Sequence, residues 1–331
     1  MTGLASRIKQ HSARTGKWRV WRALGPGLIT GAADDDPSGI ATYSQAGAQL
    51  GYAVNWTMLL SFPLMVAVQE ISARIGRTTG KGIAGNIREH YPGWLLQPIV
   101  GLLFIASTIN VGADLGAMGN AAALLGGGPQ LVYVLGFGIL CTTLESALPY
   151  GRYAAVLKWL TLALFAYFGT LIVITVPWEQ VAVGLVLPIL SWQAPFWTMV
   201  LAIFGTTISP YLFFWQASQE VEETEAAVGR APLVEKPRQG PDAINRIRFD
   251  TIVGMTLSNL VALAIIVTSA ATLNANGITD LETASQAAQA LRPIAEIEHQ
   301  TARDTTIGVT RAAALTAATA IRAKCVQSDR I

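Results

Sequence analysis

The chain has 331 residues, of which 52% are hydrophobic and 13% are charged, and its mean hydropathy is +0.42. A single soluble core of this length needs less apolar surface than that, so the composition excludes an ordinary soluble domain and predicts a membrane protein. The formal net charge of +2 is too small to suggest a nucleic-acid partner.

The basic residues are grouped rather than spread along the chain. Six of them fall within residues 1–22, and none follows until Arg74. Residues 89–151 and 159–229 also lack Lys and Arg. Each of these intervals has room for two membrane spans of about 20 residues and a turn. We therefore predict hairpins that leave from and return to one side. By the positive-inside rule that side is the cytoplasm, which places the N-terminus there in a multi-pass protein of the cell membrane.

Apolar segments predict about seven spans in a transporter domain at residues 23–273, after a basic cytoplasmic N-terminus at residues 1–22. Residues 220–250 are charged and contain three prolines, so we predict a solvated cytoplasmic loop there. Residues 274–331 contain no span and are predicted to lie outside the membrane. The predicted spans are residues 23–50, 53–73, 95–120, 131–149, 155–177, 194–219 and 251–273.

The first span is interrupted by three consecutive acids, Asp34, Asp35 and Asp36, followed by Pro37. An ionised Asp at bilayer depth costs at least ~2.5 kcal/mol on insertion scales, so three of them predict a function. Pro37 has no N–H and disfavours helical geometry at the residue before it, so the helix is expected to break. The freed carbonyls must then face a polar cavity or a ligand.

The sixth span repeats this arrangement, with Thr206 and Ser209 ahead of Pro210 in mid-helix. Paired interruptions in corresponding helices indicate the binding site of transporters built from inverted repeats. We assign the first repeat to residues 23–177 and a partial second repeat to residues 194–273. A purely structural alternative exists for the second break, because Ser and Thr commonly bond back to their own helix.

The residue types at the two breaks favour a cation as the transported substrate. Carboxylate, carbonyl and hydroxyl oxygens form a hard, anionic site, and the negative end of the first half-helix adds to that preference. A carboxylated substrate is disfavoured by the three acids. No cofactor and no enzymatic activity are predicted, since the three histidines lie in or beside basic or polar segments.

The sequence around the first break resembles the first helix of the Nramp divalent-metal transporters. The resemblance lies in Gly25-Pro26, then Asp36-Pro37-Ser38-Gly39, then the stretch from Ala41 to Tyr52. Residues 69–82 resemble the end of that family's second helix, and residues 205–210 its sixth. The resemblance implies a leucine-transporter-like bundle of eleven or twelve helices. It also implies import of Mn²⁺ or Fe²⁺ across the cytoplasmic membrane, usually coupled to protons.

The same resemblance implies a set of site residues. Asp36 matches a metal ligand of the family, Gly39 stands at its asparagine position and Ser209 at its methionine position. Asp35 and Thr206 are added as candidate metal ligands, between the helix breaks at Pro37 and Pro210. Tyr211 stands at the family's histidine position and Asp114 matches an acid linked to proton movement; together with Asp34 they form the predicted proton pathway or second shell.

Two departures from the family pattern change the expected chemistry. A methionine thioether favours soft or borderline metals, so a hydroxyl at Ser209 relaxes the discrimination against Mg²⁺. The chain thus resembles the divergent, Nramp-related branch that carries Mg²⁺ as well as Mn²⁺. Tyr211 replaces a histidine and Ala117 an acid, so uncoupled or weakly coupled transport is an alternative to symport.

The resemblance is expected to end near Ala295, and residues 296–331 are expected to match nothing in the family. Further spans of the family are missing from this sequence, which predicts a C-terminally truncated chain. Two alternatives to metal transport stay open. One is transport of another small solute, such as an amino acid or an organic cation, on the same fold. The other is a fragment that transports nothing. The sequence does not indicate an oligomeric state.

Overall fold

A computed structural model describes residues 24–147 and 161–279, and within these ranges every regular element is helical. The predicted all-α fold is confirmed. Short 3₁₀ segments at Gly51–Val54, Thr161–Leu164, Pro237–Gln239 and Asn274–Asn276 join some of the helices. The α-helices are α1 (Pro26–Asp34), α2 (Pro37–Leu50), α3 (Trp56–Thr79), α4 (Ile83–His90), α5 (Gly93–Gly126), α6 (Gln130–Ala147), α7 (Phe165–Val173), α8 (Trp178–Val186), α9 (Ala194–Thr207), α10 (Pro210–Ala226) and α11 (Gly240–Thr272).

Several helices have the length and composition of membrane spans. In the described part of the chain, four stretches are long and apolar enough to cross a bilayer: Trp56–Thr79, Gly93–Gly126, Ala194–Ala226 and Pro237–Asn276. Two shorter apolar helices lie at Gln130–Leu144 and Thr161–Val173. With the broken pair α1 and α2, they follow the order of the predicted spans. The predicted N-terminal segment 1–22, the first residues of the fifth span and most of the tail lie outside the described residues.

Residues 220–250 are more ordered than the predicted solvated loop. Helix α10 continues to Ala226 and α11 begins at Gly240, so the irregular connection is short. Glu220 and Asp250 are both fully buried. The prediction took charge as a sign of solvent exposure, whereas these acids have partners inside the protein. Helices α4 and α8 also lie outside the predicted spans.

Helix α11 is the centre of the bundle and packs against α1, α2, α3 and α7. Its approach to α1 is close because glycines meet there. A Cβ atom on Gly27 or Gly31 would overlap the backbone of α11, and one on Gly254 would overlap the backbone of α1. Small residues four apart are a common device for close helix packing in membranes, where backbone contact replaces hydrophobic burial. This contact fixes α1, and with it the first break, against α11.

Helix α5 is at the periphery. Trp94, Leu102 and Ile109 are 74%, 69% and 69% exposed, although the helix is strongly apolar. A helix that is apolar on its exposed face suits contact with hydrocarbon or with other membrane helices.

Candidate metal site

The first break separates α1 from α2 at Asp35 and Asp36, as predicted. Asp36 has an extended backbone and is the N-cap of α2, where its Oδ1 accepts the Gly39 N–H at 2.7 Å. The Ser38 hydroxyl lies 2.5 Å from the same oxygen. Pro37 occupies the first position of α2, where its missing N–H costs nothing. One carboxylate oxygen of Asp36 therefore holds the start of the second half-helix.

The second break lies between α9 and α10 and faces the first. Ser209 has an extended backbone, and Pro210 begins α10. The Tyr211 hydroxyl, one residue into α10, donates to Asp36 Oδ2 at 2.9 Å. On the other side of the break, a Cβ atom at Gly39 would lie 3.4 Å from Thr206 Oγ1. The structure thus brings Asp36, Gly39, Thr206 and Tyr211 together, across two helices that are distant in sequence.

Ser209 is buried, and its hydroxyl is occupied within its own segment. It lies 2.7 Å from the Thr206 carbonyl oxygen and 3.1 Å from that of Gly205. Backbone oxygens freed by the break are satisfied in this way, which is the structural role that Ser and Thr commonly take in helices. Because the hydroxyl acts as a donor in these bonds, the lone pairs of its oxygen are left to accept or to coordinate.

Helix α5 contributes the acid Asp114, which is fully buried and accepts a hydrogen bond from the Ser38 backbone N–H. Asn110 lies one turn earlier on the same face of α5, with its Oδ1 3.0 Å from the Ser38 hydroxyl. The sequence prediction included Asp114 and missed Asn110 and Ser38. Asn110 and Asp114 are four residues apart and therefore lie on one face of the helix. This spacing could have predicted Asn110 from the sequence.

The three acids of the first break have different surroundings. Asp34 Oδ2 accepts the Ser258 hydroxyl of α11 at 2.7 Å. Asp36 is directed toward α2 and α10, as described above. Asp35 is fully buried, and neither of its carboxylate oxygens has a hydrogen-bond partner among the described residues. Within residues 24–147 and 161–279, no group of three His, Cys, Asp or Glu is placed to hold a metal ion, so these carboxylates do not form one cluster.

A second set of buried charges lies where α1 begins, a region we call the α1 end. Both carboxylate oxygens of Asp250, on α11, accept backbone N–H groups of the first turn of α1: those of Gly25 and Gly27 at 2.8 Å and of Leu28 at 3.1 Å. The Arg246 guanidinium pairs with Glu220 at 2.5 Å. These contacts join α1, α10 and α11.

Basic residues from two distant parts of the sequence meet at the α1 end. Arg77, near the end of α3, donates to the Ala231 carbonyl at 2.6 Å and to Gln239 Oε1 at 2.8 Å. Arg230 and Arg246 both pair with Glu223. The groups of basic residues near residues 74–88 and 230–248 therefore share one end of the bundle.

These features define a multi-pass helical membrane protein whose two broken helices face each other. A solved structure described as the manganese transporter of Eremococcus coleocola, in complex with an aromatic bis-isothiourea substituted compound, shares the fold. It superposes with a TM-score of 0.65 over 91% of this chain and 64% of that one, at 18% identity. The predicted leucine-transporter-like architecture is confirmed by this match.

The chain belongs to the Nramp family, because the family model described as natural resistance-associated macrophage protein-like matches residues 27–325. Two relatives are named divalent metal cation transporter MntH. The one from Ralstonia nicotianae is 33% identical over 299 residues, covering 83% of this chain and 62% of the relative. The one from Klebsiella pneumoniae is 28% identical over 302 residues, covering 88% and 68%.

Two further points follow from these comparisons. The chain spans about two thirds of the length of the MntH relatives. The family match continues past Ala295 to residue 325, so the expectation that residues 296–331 resemble nothing in the family is corrected. That expectation rested on the lack of further spans after Ala295, and the lack of a span does not limit the reach of a family comparison over the whole sequence.

Proposed function

We propose that this chain transports divalent metal cations across the cytoplasmic membrane into the cell, with Mn²⁺ and Fe²⁺ as substrates and Mg²⁺ accepted as well. The observation that carries the proposal is Asp36. It is a fully buried carboxylate at a helix break, facing a second break from which Tyr211 reaches it at 2.9 Å. Family membership and the names of the MntH relatives support the same function.

In the proposed site, one carboxylate oxygen of Asp36 bonds to the protein and the other binds the cation. Oδ1 stays on the Gly39 N–H and keeps α2 in place. Oδ2, which accepts the Tyr211 hydroxyl, is the oxygen that binds the metal. The oxygens of Thr206 and Ser209 complete the ligand set from the second break, beside Gly39. Asp114 and Asn110 hold Ser38 and so fix the start of α2 from the outside.

An all-oxygen ligand set is the reason for including Mg²⁺. Mg²⁺ prefers carboxylate and hydroxyl oxygens and keeps part of its water shell, whereas a thioether would select softer metals. Ser209 stands where the family resemblance expects methionine. The proposal therefore expects Mn²⁺ and Mg²⁺ to compete for one site.

The α1 end is proposed to face the cytoplasm. Arg77, Arg230 and Arg246 meet there, which fits the positive-inside rule. Release of the cation on that side requires α1 to move away from α11, and this movement breaks the hydrogen bonds of Asp250 to the first turn of α1.

The test is metal uptake into liposomes that contain the purified chain. We expect saturable Mn²⁺ uptake that excess Mg²⁺ suppresses, and a loss of at least about 100-fold in Asp36→Asn, since a carboxylate ligand is replaced by a neutral amide. Asp242→Asn is the matched control, because Asp242 is exposed on α11 and far from the break in sequence. If Asp36→Asn still takes up Mn²⁺, Asp36 is not the metal ligand. If excess Mg²⁺ does not reduce Mn²⁺ uptake, Mg²⁺ is not a substrate of this site.

A further inference from the structure

Asp35 differs from both of its neighbours in having no hydrogen-bond partner in the part of the chain that the structure describes. It is 0% exposed, neither oxygen accepts a hydrogen bond among the described residues, and none of the ion pairs in that part of the chain includes it. An isolated ionised carboxylate in such a place is costly, and natural proteins pair such charges or use them to coordinate ions. A buried carboxylate without a hydrogen-bond partner therefore indicates that a ligand binds there.

A second buried oxygen without a hydrogen-bond partner among the described residues belongs to α7. The Tyr167 hydroxyl of α7 is buried, has no hydrogen-bond partner among the described residues, and interacts electrostatically with the Asp35 carboxylate. The 3₁₀ segment just before α7 contacts α1. Asp36 has contacts on α2 and α10 instead, so the two adjacent acids have different neighbours.

The backbone supplies further oxygens at the same place. Asp35 is the C-cap residue of α1, where the last carbonyls of the helix have no intrahelical donor and form the negative end of the helix dipole. The Asp34 carbonyl oxygen lies at the break, 3.1 Å from where a Cβ atom of Gly39 would be. In transporters with broken helices, unwound carbonyls and the C-terminal ends of half-helices coordinate Na⁺.

The kind of ligand follows from the donor set. Asp34 already accepts the Ser258 hydroxyl, and Asp36 is assigned to the divalent substrate, an assignment that rests on the proposed function. One carboxylate among neutral hydroxyl and carbonyl oxygens suits a monovalent cation better than a second divalent one. We propose that Asp35, with the Tyr167 hydroxyl and the C-terminal carbonyls of α1, forms a second cation site that binds a small monovalent cation such as Na⁺.

The experiment measures thermal unfolding of the purified chain in detergent, followed by tryptophan fluorescence. NaCl is compared with choline chloride at equal ionic strength, with and without Mn²⁺. We expect Na⁺ at saturation to raise the unfolding midpoint by roughly 2–4 °C over choline. Asp35→Asn removes this shift, and Tyr167→Phe, which deletes one unpartnered hydroxyl, reduces it. The matched control Asp242→Asn leaves it unchanged.

The two sites are separated by comparing variants. We expect Asp36→Asn to lose the shift caused by Mn²⁺ and to keep the one caused by Na⁺. A Na⁺ shift without any Mn²⁺ shift in the unaltered chain would contradict the proposed function and support the second site. Equal midpoints in Na⁺ and choline, or a Na⁺ shift that persists in Asp35→Asn, would overturn the second site. If Asp35→Asn does not fold, an unchanged Na⁺ shift in Tyr167→Phe overturns it.

Discussion

The acids of the α1 end and the acids of the first break are buried to the same degree, but their surroundings are opposite. Glu220 and Asp250 are fully buried, as are Asp35 and Asp36. At the α1 end, Arg246 and the backbone N–H groups of α1 compensate the negative charges. At the break, neutral hydroxyls and one amide N–H donate to Asp36, and among the described residues neither oxygen of Asp35 accepts a hydrogen bond.

This difference separates structural charge from functional charge. A buried acid with its own arginine has its charge compensated within the fold. A buried acid that has only neutral donors keeps a net negative charge, and a cation that enters the membrane can remove that cost. Burial alone therefore does not distinguish the proposed site from the α1 end, whereas the kind of partner does.

The largest expected effect is at the α1 end. Arg246→Met leaves Glu220 buried without its cation, and we expect the free energy of unfolding to fall by about 3–5 kcal/mol, the usual cost of breaking one side of a buried ion pair. Thermal unfolding in detergent, followed by tryptophan fluorescence, measures the change. Arg238→Met is the matched control, because Arg238 is exposed.

A double variant tests the reason for that loss. In Arg246→Met with Glu220→Met the buried charge is removed together with its partner, so most of the stability should return. If the double variant is as unstable as the single one, the cost comes from lost packing and the charge compensation at the α1 end is of little importance.

The sequence was sufficient for the fold class and for the two breaks. Pro37 and Pro210 have no N–H and constrain the residue before them, so the breaks follow from local chemistry. Asp36 was found for a related reason, because acids in apolar segments are costly and stand out. Asp114 was identified through the resemblance to the Nramp family.

The rest of the site depends on contacts that local patterns do not contain. Tyr211 reaches Asp36 across 175 positions of sequence, and Ser258 reaches Asp34 across 224. The prediction for residues 220–250 failed in the same way, since Arg246 and Glu220 look like solvated residues until the helices that hold them are packed together. Hydropathy reports the average environment of a segment and not the partner of a side chain.

The second prediction concerns Asp35, whose carboxylate has no hydrogen-bond partner within residues 24–147 and 161–279. Asp35→Asn removes an uncompensated buried charge and keeps the shape, so we expect the free energy of unfolding in buffer free of Na⁺ and divalent cations to rise by about 1–2 kcal/mol. This is the opposite sign to the change at the α1 end. Thermal unfolding beside the control Asp242→Asn measures it, and a clear loss of stability would mean that the Asp35 carboxylate is compensated as Glu220 is.

The smallest expected effect is a change in metal preference at Ser209, whose hydroxyl donates to the backbone carbonyls of Gly205 and Thr206. Ser209→Met should make Cd²⁺ a stronger inhibitor of Mn²⁺ uptake by several-fold, because a thioether is a soft ligand. The matched control is Thr198→Met on α9, since Thr198 bonds back to its own helix in the same way and is exposed. If Cd²⁺ inhibits Ser209→Met and Thr198→Met equally, Ser209 is not a metal ligand beside Asp36. Its hydroxyl then has a structural role only, as the charged groups of the α1 end have.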